Sequence, residues 1–289
     1  MAWHNGCVQR HPVGEWVRYW QSPDRPLEAM EAHFHHHAYR RHSHETYSFG
    51  VTEAGSQSFT CRGAGHTSTA GMVMAFNPDD PHDGRATDQL GFTYRMIHVG
   101  AELVADVLAD GAGRPPALPL FAVPVVHDPL LARTLRRLHA ALLQGAALER
   151  DEQLAAALLT VVRRAGTRAP SSLGSDRLTA PAAVSIARLT RALLDEAYVE
   201  ELTADSLASN VGCSRYVTCR AFQATYGLAP SEYQRQLRLR AARRLLARGS
   251  ALAEVATEVG FADQAHLTRW FVRSFGITPG AYRRAVAPA

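Results

Sequence analysis

The sequence predicts an α+β chain in which a β-rich half comes first and the last hundred or so residues are all helix. Three observations carry this. Between residues 13 and 100, short apolar runs cut by Gly, Pro, Asn and Asp follow one another (TYSFGVTEAG, QSFTCRGAG, AGMVMAFNPDDPHDG, FTYRMIHVG), which is the punctuation of an antiparallel barrel or sandwich. From 101 to 165 the apolar spacing lengthens to that of helices. Beyond residue 181 one pattern occurs twice, as GCSRYVTCRAFQATYGLAPSEY at 212–233 and GFADQAHLTRWFVRSFGITPGAYR at 260–283. Phe222, Gly227, Pro230 and Tyr233 fall on Phe271, Gly276, Pro279 and Tyr282 with a constant shift of 49. A repeat of this length is two copies of one supersecondary unit.

At 289 residues and 46% hydrophobic content, the chain has room for two domains with separate cores. Its apolar runs stay well short of the roughly 20 residues of a membrane helix, and MAWHNGCVQRHPVGEW lacks the basic-then-apolar order of a secretion signal. A cytoplasmic protein without a membrane partner is expected. The four cysteines, Cys7, Cys61, Cys213 and Cys219, have neither CxxC nor zinc-finger spacing, so no disulfide framework or structural zinc is expected and free thiols suit a reducing compartment. Charge is unevenly spread. Residues 1–177 carry 17 Arg against 18 acids, whereas residues 178–289 carry 14 Arg against 9. A basic domain joined to a neutral one fits a nucleic-acid reader with a separate sensing or assembly module; solvated surface charge is the plainer alternative.

The elements come in order. Residues 1–100 are assigned to the barrel. In the helical segment 101–165, Leu131, Leu135, Leu138 and Leu142 are spaced 4, 3 and 4 apart, and Leu154, Leu158 and Val161 or Val162 form a further apolar face. Such faces need a core or a partner: packing against the barrel and a seam pairing two subunits both satisfy them, and the segment is assigned to dimerisation. AGTRAPSSLGSDRLTAP is small, polar and broken by Pro and Gly, so residues 166–181 read as a linker. Residues 182–289 form the helical domain.

Each repeat reads as helix, glycine turn, helix. In the first, Thr203 caps a helix bearing Leu207, Ala208 and Val211, Gly212 turns, and Ser214 caps a second helix with Arg215, Tyr216, Cys219 and Arg220 outward and Phe222 inward. In the second, Leu252, Val255, Ala256 and Val259 share a face, Gly260 turns, and Asp263 caps a helix with Leu267 and Phe271 inward and Gln264, His266, Thr268, Arg269 and Arg273 on other faces. Between them, 231–248 reads as one helix with Tyr233, Leu237, Ala241 and Leu245 on one side, Arg235, Arg238 and Arg243 toward another, and Gly249 as its stop. Eighteen residues at 1.5 Å rise span about 27 Å, near the ~34 Å between successive major-groove faces of a duplex. Two reading helices on adjacent turns of double-stranded DNA become possible, with the helix arginines adding backbone contacts.

On these residues, 184–286 resembles the DNA-binding domain of the AraC/XylS family of bacterial transcription regulators. Val255-Ala256, Gly260-Phe261, Asp263-Gln264, Arg269, Phe271, Phe275-Gly276, Thr278-Pro279 and Tyr282-Arg283 carry the likeness. The resemblance implies two helix-turn-helix motifs, with base-facing positions at Tyr216, Cys219 and Arg220 and at Gln264, His266, Thr268 and Arg269, flanked by Arg215 and Arg273. It also implies a homodimer that engages RNA polymerase. The first copy departs from the pattern at Cys213 and at Thr218, where a buried Leu is usual.

The N-terminal half holds HFHHHAYRRHSH at 33–44 and His82 in NPDDPHDG. His42 and His44 in alternation point to one side of a strand, and with His82 they form a facial set of three imidazoles suited to zinc, iron or manganese. HSH followed by AGMVMAFNPDDPH is similar to the cupin-type barrel that serves this family as a sensing domain. Metal-binding cupins place a Glu about four residues after the second His, where Ser48 and Phe49 stand here, so the set lacks one carboxylate. No cofactor is therefore expected, and a metal, if held, would sit on His42, His44 and His82. A small-molecule effector pocket is assigned to His42, His44, Tyr47, His82 and Arg95. The expected whole is a ligand-responsive transcription regulator. Its rivals are a metal-dependent cupin enzyme with a DNA-binding appendage and a DNA binder without a ligand.

Overall fold

The computed structural model of the chain describes residues 7–10, 14–112, 117–167, 180–275 and 277–286. It divides into two units, Met1–Leu143 with Gln153–Asp176, and Gln144–Glu152 with Arg177–Ala289.

In the first unit the strands are β1 (Cys7–Arg10), β2 (Trp16–Gln21), β3 (Leu27–Phe34), β4 (Ala38–His42), β5 (Tyr47–Cys61), β6 (Ala64–Thr69), β7 (Val73–Phe76), β8 (His82–Ala86), β9 (Phe92–Val99) and, after helix α1 (Ala101–Ala112), the short β10 (Val125–Val126). One layer runs β1-β2-β3-β9-β5-β7-β10, and a second joins β4, β8, β5 and β6, all pairs antiparallel. The 15-residue β5 belongs to both layers, its register shifting between Thr52 and Ala54 as it leaves one for the other. Strand alternation then sorts side chains. Ala32, Phe34, Phe59, Met74, Phe76, Phe92, Tyr94 and Met96 meet in one cluster between the layers, while Leu27, Phe49, Val51, Ile97 and Val99 are buried on the opposite face.

Helices after the barrel close that opposite face. In α2 (Pro129–Gln144), Leu131, Leu135, Leu138 and Leu142 are all at most 2% exposed. His139 of the same helix contacts the Met30 carbonyl at 3.2 Å and the Trp20 ring edge-on, and Arg136 pairs with Glu53 of β5. The leucine series is thus buried within its own chain. In α3 (Ala147–Ala165), Leu154, Leu158, Val161 and Val162 are likewise buried.

The second unit contains α4 (Ala180–Ala197), α5 (Ala204–Val211), α6 (Arg215–Tyr226), α7 (Pro230–Ala247), α8 (Leu252–Glu258), α9 (Gln264–Phe275) and α10 (Pro279–Val286). The expected caps are present. Thr203 and Ser206 form a reciprocal capping box at α5, Ser214 accepts from the Val217 N–H at α6, and Asp263 accepts from the His266 N–H at 2.6 Å at α9. Gly212 and Gly260 both turn with positive φ, +71° and +84°, but differ in surroundings. A Cβ at Gly260 would lie 2.3 Å from the Val199 carbonyl oxygen, whereas one at Gly212 would meet nothing within 4 Å. The second turn therefore requires glycine for packing as well as for backbone freedom.

Phe222 packs with Leu148, Leu194, Ala204 and Leu207, and Phe271 with Leu239, Leu246, Val255, Val259 and Leu267. Each buried phenylalanine of this kind contributes about 3–5 kcal/mol relative to alanine. Between the two cores runs α7, whose buried residues include Gln234, Arg238, Leu239, Ala242 and Leu246; of the expected Tyr233-Leu237-Ala241-Leu245 face, Ala241 alone is fully buried. Gln234 and Arg238 are inside because they donate to the carbonyls of Tyr198 and Glu200, just after α4, at 2.6–3.2 Å. The linker expected at 166–181 falls mostly outside the described residues, as does Gly276.

Candidate functional site

Among the described residues, two places gather the side chains that the sequence singles out. The first is a cavity of about 210 Å³ between the barrel layers. His42 of β4 is the register partner of His82 of β8, and their rings lie 4.6 Å apart. His44, just beyond β4, lies 4.9 Å from the His42 ring and 5.4 Å from the His82 ring; its carbonyl accepts from the Asp79 N–H, which ties the two loops together. One nitrogen from each of His42, His44 and His82 falls within 4.8 Å of the others. The three imidazoles that the sequence predicts as one set are thus neighbours, although β4 ends at His42.

The rest of the lining differs from expectation. Tyr47 faces away from the cavity: its hydroxyl donates to the Pro119 carbonyl at 2.9 Å and its ring stacks on Phe49 and meets Phe121 edge-on. Arg95 also faces away, paired with Glu31 at 3.1 Å and with Glu53. Both corrections have one cause. In β5 and β9 the cavity side is set by Ser48, which contacts His98, and by Tyr94, Met96 and His98; Tyr47 and Arg95 are adjacent to these in sequence and so point to the other side. Sequence reasoning missed His98, Glu28, Tyr39, Tyr94 and Met96; alternation outward from the buried Phe92 would have found the β9 members.

Burial holds three imidazoles of the cavity, those of His44, His82 and His98, below the ordinary histidine range. Burial, with His98, His42 and His82 around it, pushes His44 down to about 4, and burial with His82 and His42 nearby pushes His98 down to about 4. Burial also lowers His82. The His42 Nδ1 contacts the Arg40 carbonyl at 2.7 Å and the His82 Nδ1 contacts the Asp80 carbonyl at 2.8 Å. A carbonyl only accepts, so both Nδ1 atoms are donors there, and each Nε2 is the nitrogen that this bond leaves unengaged. His36 and His37 are exposed, and their N–H groups, with that of His35, donate to Glu15.

The second place is the outer side of α6 and α9. On α9, Gln264, Arg269 and Arg273 are exposed and Thr268 is half-buried, while Leu267 and Phe271 hold the helix to its core. His266 is not on this surface. It is buried, its Nε2 accepts from the Trp270 indole N–H at 3.0 Å, and burial pushes it down to about 4. On α6, Arg220 is exposed and its guanidinium donates to the Tyr216 hydroxyl at 2.9 Å; Arg215 pairs with Asp205 at 3.4 Å, and Tyr216 and Cys219 are half-buried. Of the α7 arginines, Arg238 is internal and Arg235 pairs with Glu149 at 2.9 Å and lies 3.6 Å over the Trp270 ring, so neither is available as a backbone contact. Arg240, Arg243, Arg244 and Arg248 are exposed.

A family model described as the AraC-like ligand binding domain matches residues 13–162, just over half of the chain. The chain belongs to the AraC family of transcription regulators. A helix-turn-helix domain model covers residues 207–285 in addition. This AraC-type chain is 28% identical over 258 residues to the HTH-type transcriptional regulator YbfI of Bacillus subtilis, covering 86% of this chain and 90% of that one. It is 27% identical to the HTH-type transcriptional activator RhaS of Escherichia coli over 84% of this chain and 87% of that one. A solved AraC-type DNA-binding domain from Chromobacterium violaceum is 30% identical over 36% of this chain and 93% of its own length, with a TM-score of 0.34. The two family models and the two structural units agree that an AraC-type sensing domain precedes a DNA-binding one. Among the described residues, no helix is long and apolar enough to cross a membrane.

Proposed function

We propose that this DNA-binding regulator reads its operator chiefly with Gln264, Arg269 and Arg273 of α9, supported by Arg220 and Tyr216 of α6 and by the exposed arginines of α7. It is controlled by an effector in the barrel cavity. The observation that carries the reading is the exposure of Gln264 and Arg269 on a helix whose other face is fully engaged in a core. Arg binds guanine and Gln binds adenine in two places each on the major-groove edge, which gives those two side chains a task that surface solvation alone does not. The positive excess of residues 178–289 supplies the backbone attraction. A homodimer and contact with RNA polymerase complete the proposal, with the pairing surface elsewhere than the buried leucines of α2. The barrel acts in it as a sensing chamber rather than as a catalytic site, and a cytoplasmic location accords with the task.

Selection of bound sequences from random DNA, followed by affinity measurement on the selected site, tests this. Arg269→Ala is expected to weaken the selected site by about 1–3 kcal/mol and to relax preference at one base pair. An unchanged affinity and preference would remove Arg269 from the interface.

A further inference from the structure

We infer that His42, His44 and His82 are the ligands of a divalent first-row transition-metal ion in the barrel cavity, with His98 as a fourth imidazole beside them. The inference deepens the effector reading of the same cavity and can fail separately from it.

In the sheet register Ser48 of β5 is paired directly with His98 of β9. The Ser48 hydroxyl lies 2.8 Å from the His98 Nδ1, and the His98 ring is 4.6 Å from that of His44. Ser48 thus holds the His98 ring by its Nδ1 and leaves Nε2 outside that bond. Metal-binding histidines are characteristically fixed in this way, through a hydrogen bond from the nitrogen that does not touch the ion. His42 and His82 have the same arrangement, with Arg40 and Asp80 carbonyls as partners. In the same register row, Glu28 of β3 is paired with His98 and lines the cavity, so a carboxylate is also close by.

The convergence itself needs an explanation. Three imidazole rings converge with one nitrogen of each within 4.8 Å of the others, and among the described residues no Arg lines the cavity. A cation would give the converging nitrogens one shared partner. The geometry is close to what one requires: a tetrahedral ion with bonds of about 2.0–2.1 Å holds its nitrogens about 3.4 Å apart. The three nitrogens lie within 4.8 Å of one another, so small rotations of rings already in contact suffice. An all-imidazole set suits zinc, iron, cobalt, nickel or copper, and disfavours magnesium and calcium, which take oxygen.

The test uses the full chain, stripped with a chelator and titrated with Co²⁺, whose d–d absorption reports nitrogen coordination, and with Zn²⁺ by calorimetry. One ion per chain is expected. Affinity should fall by about 100-fold or more in His44→Gln and in His42→Gln, and remain unchanged in the His36→Gln/His37→Gln double variant, which alters exposed histidines outside the cluster. Thermal unfolding without metal identifies any variant that has lost its fold, and the half-buried His42 site provides the milder replacement. The absence of cobalt bands, or bands and affinity that persist in both cluster variants, would overturn the inference. DNA affinity measured on the same stripped and loaded samples judges the effector reading separately: a change on loading makes the ion the effector or part of its site. A loaded protein with unaltered DNA affinity retains the metal site and counts against control through it.

Discussion

Thr218 is fully buried on α6, and its hydroxyl makes no hydrogen bond among the described residues. A buried hydroxyl without a partner costs about 1–3 kcal/mol in lost hydration. Thr218→Val keeps the shape and removes the oxygen, so it should raise stability by about 1 kcal/mol, read as a higher denaturant midpoint with an unchanged slope; a lower midpoint would mean the hydroxyl has a partner after all. The sequence marks this position, because an apolar residue is expected there and the neighbouring Val217, Ala221 and Phe222 are buried. Other side chains were harder to place. Whether Tyr47 or Ser48 faces the cavity turns on a one-residue phase of β5, and both types occur on either side of a barrel wall. His266 resembles a base-reading residue in sequence, yet the Trp270 indole one turn later claims its nitrogen. Such pairings depend on side-chain geometry that periodicity does not encode.

At the scale of elements, the start of α3 belongs with the DNA-binding unit. Leu148 fills the core around Phe222, Asp151 accepts from the Ala204 N–H at the beginning of α5, and Glu149 pairs with Arg235. Glu152 is the most constrained of the group. Burial raises it, hydrogen bonds from the Ser231 hydroxyl and N–H oppose this, and the result is a carboxyl pushed up to about 7. Because the folded value lies above the ordinary 4.5, the native state keeps a proton that the unfolded chain has released. The stability from this group is complete below about pH 4.5 and is lost as pH rises to about 7, on the order of 3 kcal/mol in all. Denaturation at pH 5.5 and pH 8 should therefore show a more stable second unit at the lower pH, and Glu152→Gln should flatten the difference; a variant that keeps the full difference would assign it to another group. The expected boundary at residue 166 differs from this one because Leu148 and Glu152 share a continuous helical period with Leu154 and Leu158. A period shows that a helix exists, and it does not say which core each turn enters. The repeats were readable for the opposite reason: caps at Thr203, Ser214 and Asp263 and turns at Gly212 and Gly260 are local chemistry, legible residue by residue.

At the scale of the whole molecule, a neutral sensing unit and a basic reading unit divide the labour. The sequence showed this division through its charge split and its repeat, and the histidines of the chamber through the HSH spacing. It did not show the chamber's fourth imidazole, which comes from a strand more than fifty residues further on. If the reading unit works as proposed, phosphate contacts dominate its affinity and base contacts its choice of site. The most direct measurement is the equilibrium affinity of the full chain for its selected operator and for a scrambled duplex of equal length, across a series of salt concentrations. The expected result is a steep fall for both duplexes with rising salt, with the operator bound about 10³-fold or more tightly at physiological salt. A flat response, or equal affinity for the two duplexes, would contradict it.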